Sequence, residues 1–197
     1  FSNNLQTITD SGAASGSFDV TSRGAITTGD LSVGNVSFTA YSGGISTGLI
    51  GSAATPANSI YLYTDYSGGG GITTGAIEAN STQLFAYNGN IATGAINAVN
   101  TGASSVQLSA YSGSVAVGGS IDAASVYLQA SGSGTAGIVN VTGNINAAAA
   151  TTHPNNITIQ ADQSISTGTL DADSVSLGSY YCCSSETVAV GAIEHVA

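Results

Sequence analysis

The sequence predicts an all-β protein: a right-handed parallel β-helix (β-solenoid) of about eight coils of 19–27 residues, with three short strands per coil. Three observations lead there. A short phrase recurs along most of the chain, apolar residues within it alternate with period two, and glycines punctuate the pieces. A repeat of 20–30 residues is too short to close a core by itself, so the repeats must stack.

The phrase is clearest where "ITTGAIEA" at Ile72 returns as "IATGAINA" at Ile91, 19 residues later. Its anchors are Ile26, Ile45, Ile72, Ile91, Val115, Val139, Ile165 and Val188, at successive spacings of 19, 27, 19, 24, 24, 26 and 23. Each unit holds three pieces. The first is V-x-L-x-A, as in "VSFTA" from Val36, "IYLYT" from Ile60, "VQLSA" from Val106, "VYLQA" from Val126 and "ITIQA" from Ile157. The second is the anchor, I-x-T. The third is I-x-A, at Ile77, Ile96, Ile121, Ile145 and Leu170. Alternation with period two specifies strands, and no segment sustains a helical period.

Glycines follow the anchors at Gly29, Gly48, Gly75, Gly94 and Gly168, and others form the "SGG", "NGN" and "SGS" turns. Both sets are expected at corners with positive φ. Two residues after each anchor stands an inward file of Thr28, Thr47, Thr74, Thr93, Val117, Val141, Thr167 and Val190. Thr and Val share a β-branched shape, as equivalent stacked slots demand. Each buried threonine hydroxyl then needs a partner, in the backbone or on the next rung. Eight rungs at about 4.8 Å make a rod of roughly 40 Å. The right hand follows from the strong preference of parallel crossovers. The whole of 1–197 reads as a single solenoid domain, with 1–17 irregular or a partial N-terminal coil and 18–197 the repeat coils.

Charge narrows the function. Net charge is −10, and Arg23 is the single basic side chain. A phosphate backbone finds almost nothing to bind, so nucleic acid is excluded as a partner. No apolar run approaches the length of a membrane span, so no membrane insertion is expected. The chain opens at Phe1 with neither an initiator Met nor a signal-like segment, and reads as a fragment or processed piece of a larger exoprotein.

Outward residues of the I-x-A pieces form a file of Glu78, Asn97, Asp122, Asn146, Asp171 and Glu194. Interleaved amides relieve repulsion between carboxylates, so a solvated face is the plain reading. Calcium bridging Glu78, Asp122, Asp171 and Glu194 is the alternative, unsupported by any calcium-loop motif. A second file, Tyr41, Tyr66, Tyr87 and Tyr111, sits in "YSG" or "YNG" turns and is either a stacked corner or a surface-contact stripe. Tyr61, Tyr63 and Tyr127 join it from outward strand positions. The adjacent Cys182 and Cys183 read as one buried and one exposed thiol, or as a tether through an intermolecular disulfide.

Long connections at Gly51–Ser59, Val99–Ser105 and Ala148–Asn156 should all emerge from one edge of the rod, where insertions often build binding faces. His153 and His195 stand apart from any nucleophile or orienting acid, so no catalytic constellation is present and no cofactor is implied. Lyase chemistry on a β-helix needs basic residues beside clustered acids, which Arg23 alone does not supply. Ice binding needs a regular outward Thr array, whereas that slot reads Thr27, Ser46, Thr73, Ala92, Ala116, Asn140, Ser166 and Ala189.

The cycle I-x-T-G-x-I-x-A, then V-x-L-x-A-x-x-G, resembles the repeat region of filamentous-haemagglutinin-like exoproteins of the two-partner secretion route. The resemblance runs from about Phe18 to Ala197. It implies a right-handed β-helix at the outer cell surface or outside the cell, acting as stalk or adhesive fibre of a bacterial adhesin. The expected function is accordingly structural and adhesive, not enzymatic, with other copies of itself and host-surface or glycan ligands as partners. The alternative is a subunit that polymerises end to end. Carbohydrate-binding and ice-binding solenoids rank behind both.

Overall fold

In the computed structural model the chain is a parallel β-solenoid; residues 3–5, 8–9, 16–68, 70–98, 104–132, 136–147, 155–179 and 187–194 are described. All regular structure among them is strand, and every strand pairing is parallel.

The anchors build one sheet. Nine strands follow one another in chain order, from Asn3–Leu5 and Ile26–Thr28 to Ser164–Thr167 and Thr187–Val190. The eight anchors therefore supply eight strands, and Asn3–Leu5 adds one more rung by pairing Asn3 with Ile26. Register is strict: Ile26 opposes Ile45, Ile45 opposes Ile72, Ile72 opposes Ile91, and so on through Val115, Val139, Ile165 and Val188. Anchor spacings range from 19 to 27 residues without shifting this pairing, so all the variation is absorbed at corners. A one-residue slip would turn the apolar file outward, which is why the register holds.

The V-x-L pieces form longer strands, among them Asn35–Ala40, Ala57–Thr64, Ser105–Ala110, Ser125–Ala130 and Asn156–Ala161. The I-x-A pieces form two-residue strands such as Ile96–Asn97, Ile121–Asp122 and Leu170–Asp171. One strand, Ile77–Ala86, belongs to both ladders because its connecting "NST" leaves no slack for a loop. That coil has two strands where three were expected. Ile50 is reduced to single bridges with Leu31 and Ile77.

The core is a shaft of like side chains. The anchor file, the I-x-A file (Ile77, Ile96, Ile121, Ile145, Leu170) and the V-x-L file (Phe38, Leu62, Leu84, Leu108, Leu128, Ile159) are buried up to the last coil and belong to one hydrophobic cluster. Each such side chain contributes about 1.5–3 kcal/mol by leaving water. Alanines such as Ala86, Ala110 and Ala130 fill the buried slot that ends each V-x-L strand, where one coil instead places Thr64, its hydroxyl donating to the Gly70 carbonyl at 2.8 Å.

The buried threonines after the anchors resolve their hydroxyls uniformly. Thr28, Thr47, Thr74, Thr93 and Thr167 each donate Oγ1 to the carbonyl of the following glycine, at 2.9–3.1 Å. The partner is backbone of the same coil, not the next rung. Those glycines are required for a different reason from the one expected. Positive φ is found at Gly43, Gly51, Gly89, Gly132 and Gly137, and the glycines after the anchors are not among them. Instead, a Cβ on Gly75 would sit 2.9 Å from Gly48 backbone, and one on Gly94 would sit 2.8 Å from Ala76 backbone. Coil lies on coil too closely there for any side chain.

Candidate functional site

Three outward surfaces bear side chains that could meet a partner, and the sheets fix each one. On the V-x-L sheet, register places Tyr61 beside Gln83, Gln107 and Tyr127, and places Tyr63 beside Phe85, Ser109 and Gln129. The rings touch in sequence: Tyr61–Tyr63 at 6.4 Å, Tyr61–Phe85 at 5.9 Å, Tyr63–Tyr87 at 5.6 Å and Tyr87–Tyr111 at 4.6 Å. Five aromatic side chains thus make one continuous strip over three successive coils. Burial, and next the neighbouring charge of Asp65, raises the phenol of Tyr63 above its ordinary pKa.

This corrects the expected file of Tyr41, Tyr66, Tyr87 and Tyr111. The slot after each V-x-L strand is marked by an N–H bonded to the preceding coil: Tyr41 to Ser22, Asp65 to Ala40, Tyr87 to Thr64, Tyr111 to Ala86. Asp65, not Tyr66, therefore stands between Tyr41 and Tyr87. The "DYSGGGG" segment is longer than its equivalents, so Asp65 fills the slot and Tyr66 begins the extra turn, its N–H bonded to Asp65 Oδ1 at 2.7 Å. Tyr66 is 69% exposed and Tyr41 46%, and neither belongs to the ring-contact chain. Sequence reading named four of the five strip residues, Tyr87 and Tyr111 in the turns and Tyr61 and Tyr63 on the strand, and missed Phe85. Phe85 was legible from "YLY" and "LFAY" on adjacent coils, since alternate residues of a strand share a face.

The I-x-A sheet carries the acid–amide file as expected. Glu78 pairs with Asn97, Asn97 with Asp122, Asp122 with Asn146, Asn146 with Asp171 and Asp171 with Glu194. Asn146 donates Nδ2 to Asp122 Oδ1 at 2.6 Å. Burial raises the Glu78 carboxyl above its usual pKa; a hydrogen bond with Asn97 lowers it and Asp122, two rungs away, raises it. The acids from Glu78 to Asp171 lie two rungs apart, or roughly 9–10 Å, so an ion beside one of them meets an amide next, not a second acid. Among the described residues, no three His, Cys, Asp or Glu side chains gather into a metal-holding group.

The anchor sheet presents Thr27, Ser46, Thr73, Ala92, Ala116, Asn140, Ser166 and Ala189 in one outward file. It is a face of small side chains with no regular threonine array. The long connection after Gly51 closes on itself through Ser52 and Thr55, whose hydroxyls lie 2.8 Å apart. Most of the other two long connections, with Cys182, Cys183, His153 and His195, lies outside the described residues. Arg23 is exposed.

Searches of protein-family models, of curated proteins and of solved structures give no match to this chain.

Proposed function

We propose that this chain is a structural and adhesive β-solenoid, a stalk or fibre segment of a bacterial surface adhesin, working at the cell surface or outside the cell and not as an enzyme. The observation that supports this reading is the uninterrupted register of the anchor sheet. Rungs that repeat without slip make a stiff rod, and a rod extends a contact surface away from its base. A polar exterior with few charges, one of them basic, suits a passive extracellular shaft. The resemblance to filamentous-haemagglutinin-like repeats points the same way. The test is surface display: fused to an outer-membrane anchor, the chain should protrude as a thin rod by electron microscopy and raise adherence of the displaying cells. Unchanged adherence with the rod in place would remove the adhesive half of the reading.

A second reading, end-to-end stacking, draws on the last described rung. Val188 and Ile193 are 48% and 60% exposed, whereas Ile165 and Leu170 one coil earlier are 1% and 0% exposed. An exposed apolar file accepts another coil, whether supplied by the same chain or by a second copy. Negative-stain images of the purified chain decide between the two: rods of one length favour the single segment, and long uniform fibres favour polymerisation.

A further inference from the structure

The strip Tyr61–Tyr63–Phe85–Tyr87–Tyr111 does something the rod itself does not require. The core is already filled by its own buried files, and on the outer face the flanking coils carry fewer rings: Ser37 and Thr39 on one side, Tyr127 with Gln129 and then Thr158 with Gln160 on the other. Aromatic side chains are concentrated on three adjacent coils. All five remain at least partly exposed, Tyr61 most of all.

What borders the strip is uncharged hydrogen-bonding capacity. Gln83 and Gln107 share the outward file of Tyr61, both partly exposed. Among the described residues the acid beside the strip is Asp65, which accepts from the Tyr63 hydroxyl, the Tyr66 N–H and the Ser67 hydroxyl. The one basic side chain, Arg23, follows a V-x-L strand two coils before the strip begins.

We infer that this strip is a binding surface for a neutral glycan. This deepens the adhesive reading and rests on it. A sugar ring has an apolar C–H face and a rim of hydroxyls. The face lies on an aromatic ring, and the hydroxyls meet glutamine amides and phenol oxygens. Rungs repeat about every 4.8 Å along the rod, so a linear saccharide lying along the axis meets a new ring on each coil. A sulfated or sialylated glycan finds no cation here and faces a chain of net charge −10.

The test titrates the full chain against immobilised glucose-, galactose- and mannose-based neutral oligosaccharides beside sialylated and sulfated ones, and offers chain-coated beads to erythrocytes. Neutral glycans should bind. Tyr61→Ser should weaken binding about tenfold, Tyr61→Phe should keep it within about threefold, and Tyr66→Ser, off the strip, should leave it unchanged. If Tyr61→Ser fails to fold, Gln83→Ala and Gln107→Ala take its place, with weaker binding again expected. Binding confined to anionic glycans, no neutral binding at all, or full affinity in a folded Tyr61→Ser or in both glutamine variants overturns the inference. Beads that adhere without any neutral-glycan binding sink the strip and leave the adhesive reading standing. Neutral binding with beads that do not adhere supports the strip and sinks the adhesive reading.

Discussion

Asn146 hands an amide hydrogen to Asp122 one coil earlier, 2.6 Å away, in a file where amide and carboxylate alternate. From Glu78 to Asp171 the alternation keeps like charges two rungs apart. Asn146→Asp would set a new carboxylate between those of Asp122 and Asp171, making four on successive rungs with Glu194, each about 4.8 Å from the next. The variant should lose on the order of 2 kcal/mol at low salt, with much of the loss recovered at about 1 M NaCl. Thermal melts at two ionic strengths measure it, and a salt-independent deficit would point to the lost hydrogen bond alone.

Glu78 heads the same file with its carboxyl pKa raised, chiefly by burial. A raised acid pKa means that the folded chain holds the proton more tightly than the unfolded one. This group's contribution is therefore favourable below the unfolded value, near about 4.3, and is lost as pH climbs through the folded value. Above that the charged carboxylate is a standing cost. Glu78→Gln should raise Tm at neutral pH, and the gain should shrink to nothing as pH falls below the ordinary carboxylate range. A gain that persists undiminished at about pH 3 contradicts this assignment.

The same substitution should have opposite signs at two buried threonines. Thr82 takes a core slot held by Val36, Ile60 and Val106 in neighbouring coils, and its hydroxyl has no partner. Thr82→Val should stabilise by about 1–3 kcal/mol. Thr74 donates to the Gly75 carbonyl at 2.9 Å, so Thr74→Val should cost about 0.5–1 kcal/mol. The cost stays small because Val fills that slot at Val117 and Val141. Paired denaturation curves read both, and shifts of the same sign would refute the distinction.

Backbone packing at the corners predicts a second contrast. A Cβ on Gly113 would fall on the Gly89 carbonyl, whereas one on Gly178 would meet nothing within 4 Å. Gly113→Ala should destabilise by about 1–3 kcal/mol by forcing two coils apart, while Gly178→Ala should be nearly neutral. Equal melting shifts would show that the corner relaxes freely.

The rungs were legible because stacking forces equivalent residues to be alike: every anchor in the sequence opposes the next anchor. What escaped was whatever depends on local loop length or on backbone torsion. Tyr66 looked like part of a file because "YSG" matched, yet the longer turn moved Asp65 into the slot. The glycines after the anchors looked like left-handed corners, but their requirement is the close approach of one coil to the next, which no single coil's sequence displays. Thr82 lay in plain view in "TQLFA", a V-x-L-x-A piece with its first residue changed, and only the missing hydroxyl partner reveals its cost. The aromatic strip needed the register to bring "YLY" and "LFAY" side by side.

Ile50 joins its neighbours by lone bridges where other coils place paired residues. Inter-coil hydrogen bonds in such a rod point along its length, so tension applied to the two ends strains an entire winding's bonds simultaneously. Under mechanical load the lone bridges at Ile50 should open first, while the long ladder that Ala57–Thr64 makes on the same winding with Ile77–Ala86 keeps the shaft joined.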